Sequence, residues 1–214
     1  MIVELVPVID IGYNNQGIEV PDLITHYPFW KHAEIWDKYH AESYIKAGFK
    51  DAMKPYLPGL SFYLFDSISD NNLSKLMKDH IGDFGNDSCS FFGGYVLCIN
   101  NQAVFYPQCC GLLSDIRYWE ELSMGNTNAY YEGHPAPVVS FNADKIILDF
   151  MLDENEPFVP PVNAPIIQID RDALKTAITN VKDKLSLFGK RLKKIANQED
   201  LAISNIDTVL IWNS

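Results

Sequence analysis

Residues 172–195 carry Leu174, Ile178, Val181, Leu185, Phe188, Leu192 and Ile195 at spacings of three or four, which places all seven side chains on one side of an α-helix. A single apolar stripe of this length has to be covered by something. A coiled-coil arm would cover it with a second helix, making the chain a structural or assembly protein. Packing on a sheet of its own chain covers it equally well, and a length of about 24 residues suits an ordinary long helix, which favours that reading. Asp172 near the start and Lys190, Arg191, Lys193 and Lys194 near the end follow the sign of the helix dipole. With Lys182 and Lys184 they read as a solvated face rather than an anion site.

Residues 2–11 have the β-branched content of a strand, and the Asn- and Gly-containing segment 12–17 supplies a turn. Tyr95–Ile99 and Gln102–Tyr106 flank Asn100 and Asn101, residues that accept positive φ at modest cost, so a tight hairpin is expected over 95–106. Pro107 ends it, having no amide to donate. Two further strands are expected at 137–141 and 145–152, and a last one at 208–212. Trp30, Ala33, Trp36, Tyr39, Ser43 and Ala47 approximate one helical face. A short helix after Ser69 carries Leu73, Leu76, Met77 and His80 and is expected to stop at Gly82. Another follows Ser114, read as its cap. The segment 153–165, with Pro157, Pro160, Pro161 and Pro165, reads as loop. The sum is an α+β chain, a single domain over 1–214, with an antiparallel or mixed sheet and a long C-terminal packing helix.

The 214 residues carry 28 acidic against 17 basic side chains, a formal charge of -11. That field opposes a phosphate backbone and excludes broad nucleic-acid binding, while it favours a basic partner. Aromatic content of 13% excludes a disordered acidic chain. No apolar run approaches the roughly 20 residues that span a bilayer, and the first residues, Met1 to Pro7, lack a basic leader. Four cysteines, Cys89, Cys98, Cys109 and Cys110, are too sparse for a disulfide-stapled fold. Reduced thiols and a cytoplasmic location are the expectation.

Cys109 and Cys110, in a loop between the hairpin and the helix after Ser114, are the candidate nucleophiles of a cysteine-dependent hydrolase or redox enzyme, with His80 or His134 as base. Zinc binding with Cys89 or Cys98 is disfavoured because no CxxC pair is present and adjacent cysteines in an extended chain point to opposite sides. No metal or cofactor is expected, and packing is the plainer use of the thiols. Asp149, Asp153, Glu154 and Glu156 form a carboxylate-rich edge that solvation of a loop explains. Ser88 and Ser90 form no nucleophile elbow, and Gly93-Gly94 is too short to cradle a phosphate.

The segment Tyr106-Pro107-Gln108-Cys109-Cys110-Gly111, followed by Leu113-Ser114-Asp115-Ile116 and Trp119-Glu120, resembles a pattern in small uncharacterised bacterial proteins, some of them similar to immunity proteins of toxin systems. The resemblance implies a non-enzymatic protein-binding role, the neutralisation of a basic bacterial toxin. Net negative charge suits such a partner. The residues expected to make the contact are Tyr118, Trp119, Glu120, Glu121, Tyr130, Tyr131 and Glu132, as aromatic anchors within an acidic rim, although each aromatic taken singly reads more readily as a core residue.

Overall fold

The computed structural model describes residues 1–84, 89–126, 130–151, 156–201, 203 and 205–213. In chain order its elements are β1 (Val3–Asp10), α1 (Ala33–Ala47), β2 (Phe62–Leu64), α2 (Asp70–Phe84), β3 (Gly93–Ile99), β4 (Gln102–Phe105), α3 (Ile116–Met124), β5 (Val138–Asn142), β6 (Lys145–Asp149), β7 (Ile166–Asp170) and α4 (Arg171–Gln198). They form a mixed α/β fold with antiparallel sheets and a long C-terminal helix. The chain divides into two compact units, Met1–Pro7 with Phe92–Leu187, and Val8–Phe91 with Phe188–Ser214.

In the first unit the strand order is β1-β3-β4. Asn100 and Asn101 have φ of 51° and 65°, the geometry that matches a two-residue turn to the twist of its strands, and the expected hairpin forms with Ile99 opposite Gln102. β3 is buried on both faces from Gly93 to Cys98, as a central strand should be. β5, β6 and β7 make a second antiparallel sheet. The turn between β5 and β6 falls where Ala143 takes φ 52°. Ile146, Leu148, Ile167 and Ile169 are buried and their sequence neighbours less so, the period-two pattern of a half-buried sheet. β7 occupies residues to which the sequence reading assigns no element, between the loop at 153–165 and the long helix. Asp170 joins the strand to that helix: its Oδ1 accepts the amides of Asp172 and Ala173 at 3.1 and 3.0 Å, the bonds of an N-cap.

The stripe of α4 is buried along its whole length, with Leu174, Leu185 and Leu192 at 0% exposure. Each such side chain is worth about 1.5–3 kcal/mol relative to its exposed state. In the first unit Ala177 and Val181 line one cavity with Val3 and Leu5, which sets α4 along β1. The stripe is thus covered within the chain.

In the second unit the end of β1 pairs with β2, Ile9 opposite Tyr63. α1 buries Trp36, Tyr39, His40, Ser43 and Tyr44 and ends at Gly48 in the left-handed region. Trp30, Ala33 and Ala47, expected on the buried face, are half-buried. α2 buries Leu73, Leu76, Met77 and His80 as expected, and the Ser69 hydroxyl accepts the Asn72 amide at 3.2 Å as its cap. It runs through Gly82 to Phe84; a glycine costs a helix only about 1 kcal/mol, too little to end one with a buried face. Arg191 does not simply face solvent: it donates to Asp70 Oδ1 at 2.7 Å and to the Ile68 carbonyl at 2.5 Å. Residues Thr208–Trp212 form a π-helical turn, not the expected strand. Leu210 and Ile211 are buried in it, and the Leu210 carbonyl accepts the Phe91 amide at 2.9 Å.

Candidate functional site

Two segments of the first unit meet in the region that the sequence marks as chemical. Residues 106–111 leave β4, and residues 130–135 follow α3. Their backbones run together: the Gln108 amide donates to the Glu132 carbonyl at 3.1 Å, and the His134 amide to the Cys109 carbonyl at 3.0 Å. Gln108 fixes the approach from a third side, its Oε1 accepting the Val159 amide at 2.9 Å and its Nε2 donating to the Tyr106 carbonyl at 2.8 Å.

At the bottom of this junction lies Glu132, with 0% exposure. Its Oε1 accepts the Tyr95 amide at 2.7 Å and its Oε2 the Trp119 indole N–H at 2.5 Å. A buried carboxylate is tolerable only when its oxygens are paired, and here a central strand and a helix each supply one donor. Burial pushes the Glu132 carboxyl well above its ordinary range, the nearby Asp115 pushes it further, and the two donors oppose. Asp115, 2% exposed, accepts the Leu112 amide at 2.8 Å; burial raises it to about 6, against the pull of that amide and Arg117. By accepting the Leu112 amide, the Asp115 side chain closes the turn before α3, and Asp115 rather than Ser114 stands at the N-cap position of that helix. The hydroxyls of Tyr95 and Tyr130 are also raised, by burial first and by the Glu132 charge second.

The packing leaves no room beside this carboxylate. A Cβ on Gly94, whose φ is +138°, would stand 2.5 Å from Glu132 Oε1, and one on Gly133, at φ +95°, would stand 2.5 Å from the Gln108 carbonyl oxygen. Glu132 therefore works as an internal tie among β3, α3 and the loop, closed to a substrate.

The surface above it carries the thiols. Cys109 and Cys110 are both exposed, with their sulfurs 3.2 Å apart. His134 is exposed, and its Nε2 lies 2.8 Å from Glu156 Oε2. The Tyr131 and Tyr118 rings meet edge to face at 6.1 Å and 82°, and the Arg117 guanidinium lies 4.8 Å from the Tyr118 ring centre.

Of the residues expected to contact a partner, the fold therefore splits the set. Trp119, Tyr130 and Glu132 are interior, at 0%, 9% and 0% exposure, and belong to the support rather than to the surface. Tyr131 is exposed, and Tyr118, Glu120 and Glu121 are half-buried. Glu120 pairs with Lys182 at 2.6 Å, and Glu121 accepts from the Asn126 side chain at 3.1 Å. Of the candidate bases, His134 stands in the thiol loop junction. His80 belongs to the other unit, where its Nε2–H donates to the Cys89 carbonyl at 2.8 Å. Of the acidic edge, Asp149 accepts the Met151 amide and Glu156 faces His134, while Asp153 and Glu154 lie outside the described residues, as does Ser88. Among the described residues no group of three or more His, Cys, Asp or Glu could hold a metal ion, and no helix is long and apolar enough to cross a membrane. The residues that sequence reasoning missed as a centre are Glu132, Asp115, Gly94 and Gly133. Their only local signal is an acid between aromatic residues and a glycine in Tyr130-Tyr131-Glu132-Gly133.

No family model, curated protein or solved structure matches this chain.

Proposed function

We propose that the protein is a non-enzymatic recognition module that binds a basic protein, in the bacterial setting a toxin that it neutralises in the cytoplasm. The observation that carries this reading is the Tyr118–Tyr131 pair, an edge-to-face couple at the surface resting on a backbone tied down by Glu132. Tyrosines held in place before binding lose little entropy on contact and make strong anchors. Glu120 and Glu121 beside them supply a polar rim, and the net charge of -11 speeds the approach of a cation-rich partner. Trp119, Tyr130 and Glu132 act from beneath, by fixing the shape of that surface.

The test is co-purification from lysate of the source organism, followed by co-expression of any captured basic protein to ask whether its toxicity is suppressed. The expected outcome is one such protein, with affinity lowered about 30-fold or more in the Tyr118→Ala, Tyr131→Ala double variant, the loss of a hot-spot contact of about 2 kcal/mol. Equal affinity in a folded double variant sinks the surface, and no captured protein sinks the reading.

A second reading, a cysteine-dependent hydrolase or redox enzyme, has one observation in its favour: Cys109 is exposed and its backbone pairs with His134, whose ring faces Glu156. Turnover of an ester, amide or disulfide substrate that disappears in folded Cys109→Ala or Cys110→Ala protein would put this reading first.

A further inference from the structure

We propose that Cys109 and Cys110 form a vicinal dithiol site, at which both sulfurs react as one unit with a low-molecular-weight disulfide or with a trivalent arsenical. The inference is independent of the partner-binding reading.

The geometry comes from the loop. In an extended chain neighbouring side chains point to opposite sides, and two adjacent cysteines would diverge. Cys110 has φ +68°, and that single left-handed residue turns the second side chain back, leaving Sγ 3.2 Å from Sγ. The backbone on either side is held. The Cys109 carbonyl accepts the His134 amide at 3.0 Å, the Gly111 carbonyl accepts the Gly93 amide at 2.9 Å, and the Gly111 amide donates to the Gln108 carbonyl at 3.2 Å. A Cβ on Gly111 would stand 2.4 Å from the Gly93 carbonyl oxygen, so the loop sits against β3 with no slack. Convergence of the sulfurs is therefore built into the fold, and both are exposed to reagents. Cys98 and Cys89 serve as internal contrasts: the first is 5% exposed, and burial raises the thiol pKa of the second.

With a small disulfide, one thiolate attacks a sulfur of the reagent, forming a mixed disulfide and releasing one small thiolate. The second thiolate then attacks the protein sulfur of that mixed disulfide, closing a bond between Cys109 and Cys110 and releasing the other small thiolate. The two electrons of the protein pair end on the reagent, and the two thiol protons end on its two halves. With phenylarsine oxide no electrons move: two S–H groups condense with one As=O, giving two As–S bonds and one water.

The experiment treats the folded, reduced protein with oxidised glutathione and reads intact mass and peptide maps. The expected product has lost two hydrogens, carries no glutathione and maps to Cys109–Cys110, whereas Cys109→Ser and Cys110→Ser each stop at a glutathione adduct. Phenylarsine oxide, added first, blocks the oxidation with a stoichiometry of one, and its affinity falls about 100-fold or more in either single variant because two-point attachment is lost. A wild-type protein that accumulates glutathione adducts without ring closure, or that binds the arsenical no better than the single variants do, overturns the proposal. The wild-type arms stand even where a variant fails to fold.

Discussion

The Glu132 junction of the first unit and the aromatic cluster of the second are both buried, yet they are specified in opposite ways. Around Glu132 the carboxylate contacts are directional, one oxygen to the Tyr95 amide and the other to the Trp119 indole, with glycines where a Cβ would strike an oxygen; Trp119 and Tyr130 pack edge to face beside them at 5.1 Å, and the Tyr130 hydroxyl has no hydrogen-bond partner among the described residues. In the second unit Tyr13, Trp36, Tyr39, His40, Tyr44 and Phe49 meet as rings, mostly edge to face or tilted, at 4.9–6.2 Å. There the polar tips bond outside the ring cluster, Tyr44 to the Ile11 carbonyl at 2.7 Å and Trp36 to the His26 carbonyl at 2.8 Å, Tyr13 to Asp79 Oδ2 at 2.6 Å and Tyr39 to Asn14 Oδ1 at 3.4 Å. His40 Nδ1 and Ser43 Oγ find no hydrogen-bond partner among the described residues. Burial alone therefore does not say how a core tolerates change; a hydrogen-bonded junction resists substitution, and a ring-packed one resists mainly loss of volume.

The widest gap between the two should open with Glu132→Ala, which leaves the Tyr95 amide and the Trp119 indole as buried donors without an acceptor and adds a cavity. Chemical denaturation should show a loss of about 3–5 kcal/mol. A loss under about 1 kcal/mol would mean that the junction is held by packing and that the contrast is false.

The pH dependence separates the regions next. Asp115, raised by burial from 3.8 to about 6, keeps its proton in the folded chain at pH values where the unfolded chain has lost it. Its share of stability is therefore full below about 4 and lost as pH rises through 6, at most about 3 kcal/mol. Asp115→Asn keeps an oxygen for the Leu112 amide and should flatten that fall. His40 runs the other way. Burial lowers it from 6.5, against the field of Asp37, so its share is full above 6.5 and lost as pH falls through the lower folded value. Thermal melts of Asp115→Asn and His40→Phe from pH 4 to 8 should shift the slope in opposite directions; shifts of the same sign refute the assignment.

The smallest effect is expected from His40→Phe. The planar ring is kept, with overpacking from its larger size opposed by removal of an unpaired nitrogen, so stability at pH 7 should change by less than about 1.5 kcal/mol in either direction. A larger loss in the same denaturation series would show that the ring cluster depends on a polar contact after all.

What the sequence made legible divides along the same line, between local and distant causes. The hairpin could be read because Asn100 and Asn101 bring their own tolerance of positive φ, and α4 because its period lies within one helix. β7 was hidden behind a proline-rich run and is only five residues long. The terminal run 208–212 has too few residues for any period to separate strand from helical turn. The thiols were placed in a loop correctly, but their convergence hangs on one dihedral at Cys110. Glu132 was taken for a surface acid because the donors that bury it stand 13 and 37 residues away, and no spacing rule reaches that far. Trp119 and Tyr130 take the core side of their double reading, since a tryptophan beside glutamates suits both a rim anchor and a core residue.

The glycines of the thiol loop separate outline from chemistry. Gly94, Gly111 and Gly133 are positions where backbone or carboxylate already occupies the space of a side chain, so they admit almost no drift. Among their exposed neighbours, Cys109 and His134 tie the loop through their peptide groups, the His134 amide donating to the Cys109 carbonyl at 3.0 Å, and Cys110 takes φ +68°, so side chains can be exchanged within that limit without redrawing the loop. Descendants of this chain can accordingly diversify what the surface offers by point mutation, with the frame inherited intact and selection acting on side chains alone.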